Sequence, residues 1–522
     1  MASALLFGPL EHVKHVRSLL MLKSSCSSRT LASCAENVKK GIVVGANSNK
    51  GGCVLTADAQ KVDAASNGRL QKLINLAGPE IKEGEGYVFY DVIPEATAIA
   101  VVGLGEKDQG VHQSELIHQG KEAVRAAAAV GCASLKKAHI HDIRVESFGD
   151  AQSAAEGALL SNWIYDEYRS KKKPETSIQL YGEDGINEWE KGVIFANAQN
   201  LSRRLMSTPS NLMTPQIFAQ NVKDALTPCG VEVIAHDKQW AENKKMGAFL
   251  GVSQGSSQPP VFLEISYQNG PKDQKPIVLV GKGVTFDTGG ISLKPSKGMH
   301  TMKGDMGGGA CVASTIQAAA QLKLNINLKG LIPLCENMPG GSAIKPGDIL
   351  TAMNGMTIQV DNTDAEGRLI LADALCYAAQ FEPLFTLDIA TLTGAMRVAL
   401  GGAATGTFSS STPLWEDLEK AGILTGDRMW RFPLWNCYNK NMTDYTHVDM
   451  NNISNVDGGG SCTAAAFLQN FAPKGDWMHL DMAGVMEDGN QMKYIGKGMS
   501  GRPTRTLVQF LVQQSENNSN KC

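Results

Sequence analysis

Short apolar runs bounded by glycine and polar clusters alternate along this chain with longer stretches whose small apolar residues recur at helical spacing. That alternation predicts strands crossing to helices, and hence an α/β fold with two α/β domains. From residue 41 to about 180 it gives strands at 41–44 and 97–102 and helices at 114–131 and 152–164. A helix from about 187 to 206 then leads to Thr208-Pro209-Ser210-Asn211, where a larger domain begins. Its strands and helices continue to about 514 and predict a mostly parallel, doubly wound sheet. The expected partition is a leader or tail over 1–36, an N-terminal domain over 40–185 and a linking helix over 186–207. The larger domain, which its motifs make the catalytic one, then spans 208–515, with a disordered tail over 516–522.

Several strand ends of the larger domain carry charge. The run Pro276-Ile277-Val278-Leu279-Val280 reads as a buried strand and leads through Gly281-Lys282-Gly283 to Asp287, Gly289-Gly290 and Lys294. Next, Met302-Lys303-Gly304-Asp305-Met306-Gly307-Gly308-Gly309 opens an Ala- and Ile-rich helix predicted over 310–322. The β-branched run at 358–360 leads to Asp361-Asn362-Thr363-Asp364-Ala365-Glu366-Gly367-Arg368-Leu369 and a long apolar helix. Asp364 and Glu366 stand two apart, so in an extended segment both carboxylates project to one side. Two carboxylates aimed at one point repel unless they share a proton or meet a cation. The carboxyl end of a strand, beside the next helix, is where open α/β sheets build their sites. On their own, Asp364 and Glu366 read better as a solvated acidic turn capping the helix, and Lys282 as an ordinary partner of Asp287. Asp287 and Asp305, also loop carboxylates beside glycines, change the balance. Four carboxylates and two lysines at such crossings make a poor solvated face and a good ion cage, so a metal-assisted reaction is expected.

The unbroken Asn-Thr-Asp-Ala-Glu-Gly-Arg-Leu signature at 362–369 and the glycine-rich block from Gly281 to Gly290 resemble the leucyl aminopeptidases of the cytosolic, dinuclear-zinc, hexameric type. The similarity runs from about 40 to about 512 and is dense again at Gly501-Arg502-Pro503-Thr504-Arg505-Thr506-Leu507. By position it implies two divalent metal ions per subunit. Lys282 and Asp305 would bind one and Asp364 the other, with Asp287 and Glu366 touching both and the Asp364 carbonyl as a further ligand. Zinc is the first expectation and manganese or magnesium the alternatives, because carboxylate oxygens suit all three. Lysine offers a lone pair only as the neutral amine, so dications and a dry pocket lead us to expect a lowered pKa for Lys282.

The resemblance also implies the reaction: metal-activated water attacks the first peptide bond of peptides with a free N-terminus. Lys294 would be the electrophile over the developing oxyanion. Arg368 would hold a bicarbonate ion as general base, in bidentate fashion and beside the N–H groups of a helix start. Read without the family, Arg368 is an ordinary first-turn arginine. Asn362, Met302, Thr391, Leu392, Gly394 and Ala483, together with Lys294, match positions that line the side-chain pocket in relatives. Met302 and Met486 suggest an adaptable apolar subsite for Leu-like or Met-like residues. Against the animal enzymes of the family, Thr288 stands for a serine and Pro295-Ser296-Lys297-Gly298 for a less basic loop; neither removes a proposed ligand.

Other chemistries fail on motif grounds. There are 10 histidines and no H-E-x-x-H, which excludes a zincin. Val101-Val102-Gly103-Leu104-Gly105 begins like a dinucleotide fingerprint, but Asp108 stands where the third glycine belongs. A Walker loop is ruled out because Pro276 and Gly283 occupy its first glycine and its Ser/Thr positions. The 11 cysteines form no C-x-x-C pair, and Cys311, Cys376 and Cys462 lie in apolar helical contexts, as reduced core thiols do. At 522 residues the chain exceeds one core. Charged residues at 19% are sparse for so large a surface, which suits subunits that bury area in an oligomer; the resemblance implies a homohexamer. Net charge is −3 without a basic stripe, so nucleic acid is not an expected partner. No apolar run reaches the roughly 18 residues of a membrane span.

Residues 1–36 hold Glu11 and Glu36 as their only acids, against Lys14, Arg17, Lys23 and Arg29, with seven serines. That reads as a mitochondrial transit peptide and places the protein in the matrix; a disordered tail, with the cytoplasm as location, is the alternative. A second functional class stays open, a structural self-assembling protein of this fold with little or no peptidase role, as in sperm-abundant relatives. The presence of all five ligands, Lys294 and Arg368 favours the enzyme.

Overall fold

The computed structural model describes residues 39–49, 51–488 and 492–519, so the segment read as a transit peptide lies outside the described residues. Two open sheets organise the rest. In the first, the strand order is Gly86–Tyr90, Ala98–Gly103, Lys40–Asn49, Asp142–Val145 and Ser177–Leu180. Four of these run parallel, and the edge strand Gly86–Tyr90 is antiparallel. Val43 packs beneath Ala127 and Cys132 of the helix Gln119–Lys137, while Ile42 and Val44 pack against Val62 and Ile74 on the opposite face. Burial on both faces is why this strand reads as an unbroken apolar run rather than an alternation. The helix expected over 114–131 instead starts at Gln119 and ends at Lys137. Val111–His112 and Ile117–His118 pair as a small hairpin, and His118 Nδ1 then accepts the Lys121 N–H at 3.4 Å as the helix cap.

The second sheet has nine strands. Its order is Met429–Arg431, Thr405–Ser409, Trp477–Asp481, Thr386–Ala390, Ile277–Gly281, Asn327–Asn337, Val261–Gln268 and Glu232–His236, with Gly283–Asp287 also paired to Asn327–Asn337. The central pairs are parallel. Antiparallel pairs lie toward both edges. Alternate side chains of the central strands feed two cores. Leu279, Leu387 and Leu480 join Val312 and Ile316 of the helix Gly307–Gln321 on one face. Val278, Val280 and Trp477 join Leu371 and Leu375 of the helix Gly367–Ala378 on the other. This is the doubly wound arrangement expected from the alternation.

Three readings are corrected. The helix expected from 310 already begins at Gly307. A Cβ on Gly308 would lie 2.0 Å from the Ile389 carbonyl oxygen, so that glycine serves close packing of helix on sheet rather than a loop. The strand before the acidic signature forms as Thr357–Val360, but it pairs with Asp348–Thr351 and Met450–Asn451 in a separate small sheet. Its β-branched residues fix a strand without fixing which sheet receives it. Finally, the helix Thr504–Ser519 runs through residues 516–519, which had read as a structureless tail.

The helix Ile186–Ser207 joins the two regions. Ser202 Oγ donates to the Ala310 carbonyl at 3.2 Å, and Arg203 Nη1 donates to the Leu160 carbonyl at 3.0 Å. Cys311, Cys376 and Cys462 all sit in helices as free thiols. Among the described residues no helix is long and apolar enough to cross a membrane.

Candidate active site

Two crossings at one end of the large sheet, and the turn that leaves the small sheet after Thr357–Val360, bring the charged residues together. Lys282 sits between Ile277–Gly281 and Gly283–Asp287, with its backbone N–H on the Ile389 carbonyl at 3.0 Å. Asp287 ends the second of those strands, and Asp305 follows the short 3₁₀ helix Met299–Gly304. Asp364 and Glu366 lie between Thr357–Val360 and Gly367–Ala378. Asp287, Asp364 and Glu366 each offer an oxygen within 4.8 Å of the others. Lys282 Nζ is 2.7 Å from Asp305 Oδ2 and 2.8 Å from Glu366 Oε1. Lys294 Nζ lies 2.7 Å from Asp287 Oδ2 and also touches Asp364 Oδ1. All five residues singled out as metal ligands, and Lys294 with them, therefore occupy one cluster.

Lys282, Asp287, Asp305 and Glu366 are buried, and the carboxylates outnumber the ammoniums. Burial, reinforced by the Asp287 charge, pushes Glu366 up to about 8. Burial also raises Asp305 to about 6 against the pull of Lys282. Asp364 is raised by burial and by Asp287. Burial disfavours the Lys282 ammonium, but Asp305, Glu366 and Asp287 together outweigh it and the amine is raised. The lowered value expected for Lys282 belongs to the metal-loaded site, where two dications would stand beside the amine; the carboxylates by themselves favour the charged form. Lys294 is raised by the same contest between burial and the charges of Asp287 and Glu366.

Two lysines do not satisfy this cage. Glu366 Oε2 has no hydrogen-bond partner, and Glu366 Oε1 and Asp305 Oδ2 meet Lys282 at ion-pair distance without hydrogen-bond geometry. Buried carboxylate oxygens left without donors are costly. A divalent cation relieves that cost, and a set of four carboxylates and one amine suits hard or borderline ions. The residues present fit the metal ions that the resemblance implies.

Neutral residues not singled out in the sequence hold the loops in place. Asn337 Nδ2 donates to Asp287 Oδ1 at 2.9 Å and to the Thr363 carbonyl at 3.0 Å. Thr363 Oγ1 donates to the Gly289 carbonyl at 2.6 Å and accepts the Ser292 N–H at 2.8 Å. Asn452 Oδ1 accepts the Asp361 and Asn362 N–H groups at 3.0 and 3.3 Å, and its Nδ2 donates to the Asn362 carbonyl at 2.6 Å. The Asn452 carbonyl in turn accepts Arg368 Nη1 at 2.7 Å. Arg368 is buried at the start of its helix with Nε unpartnered; burial lowers it to about 10, which leaves it a cation at neutral pH.

A cavity of about 510 Å³ opens on the cluster. Lys282, Asp287, Lys294, Asp305, Asp364 and Arg368 line it, and Glu366 is not part of its wall. Asn362, Met302, Thr391, Leu392, Gly394 and Ala483 all line the same space. Thr391 Oγ1 donates to Asp305 Oδ1 at 2.7 Å, and its carbonyl accepts Lys282 Nζ at 3.1 Å. Met486 is both a wall of the cavity and a member of the core beneath it. Asp481, buried behind the wall, was not singled out. An acid inside the apolar run Trp477-Met478-His479-Leu480-Asp481 is the signal that could have found it.

A mostly parallel sheet whose strand ends, with the turn that leaves the small sheet, hold a buried carboxylate cage open to a cavity with methionine walls defines an α/β enzyme with a carboxylate-lined centre. The family model described as the cytosol aminopeptidase family, catalytic domain, matches residues 200–508, and that for the family's N-terminal domain matches 43–172. The cytosol aminopeptidase of Xenopus tropicalis is 51% identical over 488 residues, covering 92% of this chain and 94% of its own. Among solved structures, the bottromycin maturation enzyme BotP in complex with Mn matches with a TM-score of 0.77 and 28% identity, covering 92% of this chain and 100% of its own. A tomato leucine aminopeptidase variant gives a TM-score of 0.77 and 27% identity, covering 92% and 95%. The chain belongs to the cytosol aminopeptidase family. It is accordingly an aminopeptidase, a hydrolase of peptide bonds.

Proposed function

We propose that the chain is a metal-dependent aminopeptidase that removes Leu-like N-terminal residues from peptides, with two divalent ions held by Lys282, Asp287, Asp305, Asp364 and Glu366. The observation that carries this reading is the group of buried carboxylate oxygens without donors, beneath a cavity of peptide-accommodating size. When bound, the ions supply Lewis acidity, a water of lowered pKa and an anchor for the substrate's α-amine. Zinc is the proposed pair. The manganese in the BotP complex supports manganese as an alternative, and the donor set also admits magnesium.

The remaining work falls to the chain's own residues. Lys294 is one-fifth exposed and lines the cavity, so its ammonium can meet the negative charge that develops on the attacked carbonyl oxygen. Among the described lining residues there is no histidine and no glutamate to accept a proton. Arg368 offers a buried guanidinium beside the N–H groups of a helix start, a place suited to holding bicarbonate as the general base. Met302, Met486, Leu392 and Ala483 enclose the first side chain in an adaptable apolar surface, which favours Leu-like residues.

The assembly we infer is a homohexamer. The large exposed side chains Val398, Trp430 and Trp435 support burial of further surface between subunits. Residence in the mitochondrial matrix, or alternatively the cytoplasm, is proposed from the composition of 1–36. The test of the reaction is metal analysis of the purified protein beside a panel of aminoacyl amides. Chelation is expected to abolish leucyl amide hydrolysis and zinc or manganese to restore it. Unchanged rates after verified metal removal would overturn the reading.

A further inference from the structure

We propose that Asp481 is a positioning residue for the first-residue pocket, fastening both substrate-facing loops to one buried carboxylate. The inference rests on the reading of the cavity given above. Asp481 ends the strand Trp477–Asp481, opposite Ala390 at the end of its parallel neighbour. The chain leaves these two strand ends as separate loops. One carries Thr391, Leu392 and Gly394, and the other carries Ala483 and Met486.

Asp481 reaches into both. Its Oδ1 accepts the N–H of Leu392 at 3.2 Å, of Thr393 at 3.4 Å and of Ala483 at 3.1 Å. Its Oδ2 accepts Thr393 Oγ1 at 2.6 Å. Thr393 Oγ1 also accepts the Met396 N–H at 3.1 Å, capping the helix Gly394–Leu400, and lies 2.7 Å from Ser461 Oγ. A hydroxyl has one proton to give. Thr393 gives its proton to Asp481, so Ser461 must donate to Thr393. A directed chain therefore runs from Ser461 through Thr393 to Asp481 and ties three elements of the pocket together.

Asp481 itself is buried and does not line the cavity, so it acts through the loops it holds. Four donors on two oxygens use the acceptor capacity of an ionised carboxylate. The amide of an asparagine could keep the three N–H contacts on its oxygen. Its NH₂ would donate to Thr393, which would then turn its proton toward Ser461. Alanine keeps none of this. Asn and Ala at position 481 therefore separate hydrogen-bond positioning from a need for charge.

The experiment compares the metal-loaded full chain with Asp481→Asn, Asp481→Ala and Thr393→Val, measuring kcat and KM for leucyl and alanyl amides alongside metal content. For Asp481→Ala, kcat/KM with the leucyl amide is expected to fall about a hundredfold, as displaced positioning loops do. The leucyl-to-alanyl preference is expected to contract about tenfold because the pocket wall has loosened. Asp481→Asn should restore most of both. Thr393→Val, which keeps the shape and drops the hydroxyl, should contract the preference about threefold. Metal content should match wild type throughout. An unchanged preference in folded Asp481→Ala, or metal loss that tracks the rate, would overturn the proposal. Should Asp481→Ala fail to fold, an unchanged preference in Thr393→Val does so instead. Absence of metal-dependent activity in the wild type is a different result and strikes the proposed function.

Discussion

The crevice at the strand ends of the N-terminal sheet and the crevice at the strand ends of the large sheet are built alike and charged differently. In the first, the end of the strand Lys40–Asn49, the loops after Ala98–Gly103 and Asp142–Val145 and the start of the helix Gln119–Lys137 surround a cavity of about 360 Å³ lined by residues including Asn47, Leu104, Lys121, Phe148 and Asp150. Its charges answer one another locally. Lys121 Nζ lies 2.6 Å from Asp150 Oδ2, and Asp150 Oδ1 caps its own helix through the Ser153 N–H at 3.1 Å. In the second crevice, four carboxylates meet only two lysines, and buried oxygens are left over. Topology chooses where a cavity forms, and charge left unmet inside it chooses the chemistry.

Removing one carboxylate from the larger crevice should have the greatest effect. Asp364→Asn deletes an anionic ligand while keeping the shape, so turnover is expected to fall by more than about a hundredfold, beyond what supporting contacts of a metal site cost. Elemental analysis should show about one equivalent of metal lost; wild-type turnover with full metal would contradict the assignment. Lys294→Ala comes next. Its charge faces the cavity, so kcat should fall about a hundredfold while metal content holds. Lost metal would make Lys294 part of the cage instead. Asn452→Ala removes the amide that holds the 361–365 turn and leaves the carbonyl that meets Arg368. A drop of about tenfold in kcat/KM is expected, together with a loss of stability of at least about 1–3 kcal/mol, because buried backbone groups of the turn lose their partners. A fall as deep as that of Asp364→Asn would mean that the turn collapses without it.

The order of these effects follows what was legible in the sequence. Asp287, Asp305, Asp364 and Glu366 announce themselves only as a set, because four acids beside glycines at strand-to-helix crossings make a poor solvated face. Asn337 and Asn452 do not, because amides are common in turns and their partners lie elsewhere in the chain. Asn452 reaches the signature only because Met450–Asn451 pairs with Thr357–Val360, a long-range pairing that no local pattern encodes. The same limit explains the small sheet. Alternating strands and helices were enough to read the large sheet and its two covered faces, but the strand feeding the acidic signature gave no sign that it belonged elsewhere. The burial of Lys282 was foreseeable, but its charge state depends on the neighbours that fold around it and on the ions they would hold.

Glu146 gives the smallest predicted effect and the clearest contrast with the cage. It follows the strand Asp142–Val145, is 1% exposed, and neither carboxylate oxygen has a hydrogen-bond partner. The nearby Thr56 hydroxyl donates to the Gly45 carbonyl instead. Burial pushes Glu146 from 4.5 up to about 8, and the charge of Asp58 adds to the rise. Among the described residues, no metal-competent cluster of acids includes it. A lone buried acid answers burial by keeping its proton, whereas the clustered acids retain oxygens for a cation. Below pH 4.5 the folded and unfolded chains both hold the Glu146 proton. Between 4.5 and about 8 the unfolded chain releases it and the folded chain keeps it, so stability falls as pH rises through that window and then levels off. Glu146→Gln has no proton to release and should lack this slope. Unfolding free energies of the two proteins from denaturant titrations, taken at several pH values across that window, should separate in favour of the glutamine variant by at most several kcal/mol at the alkaline end. Leucyl amide hydrolysis should stay within about twofold, because Glu146 touches no part of the catalytic cavity. Parallel stability curves would mean that Glu146 is ionised and compensated in the fold, and the N-terminal sheet would then hold buried charge as the large sheet does.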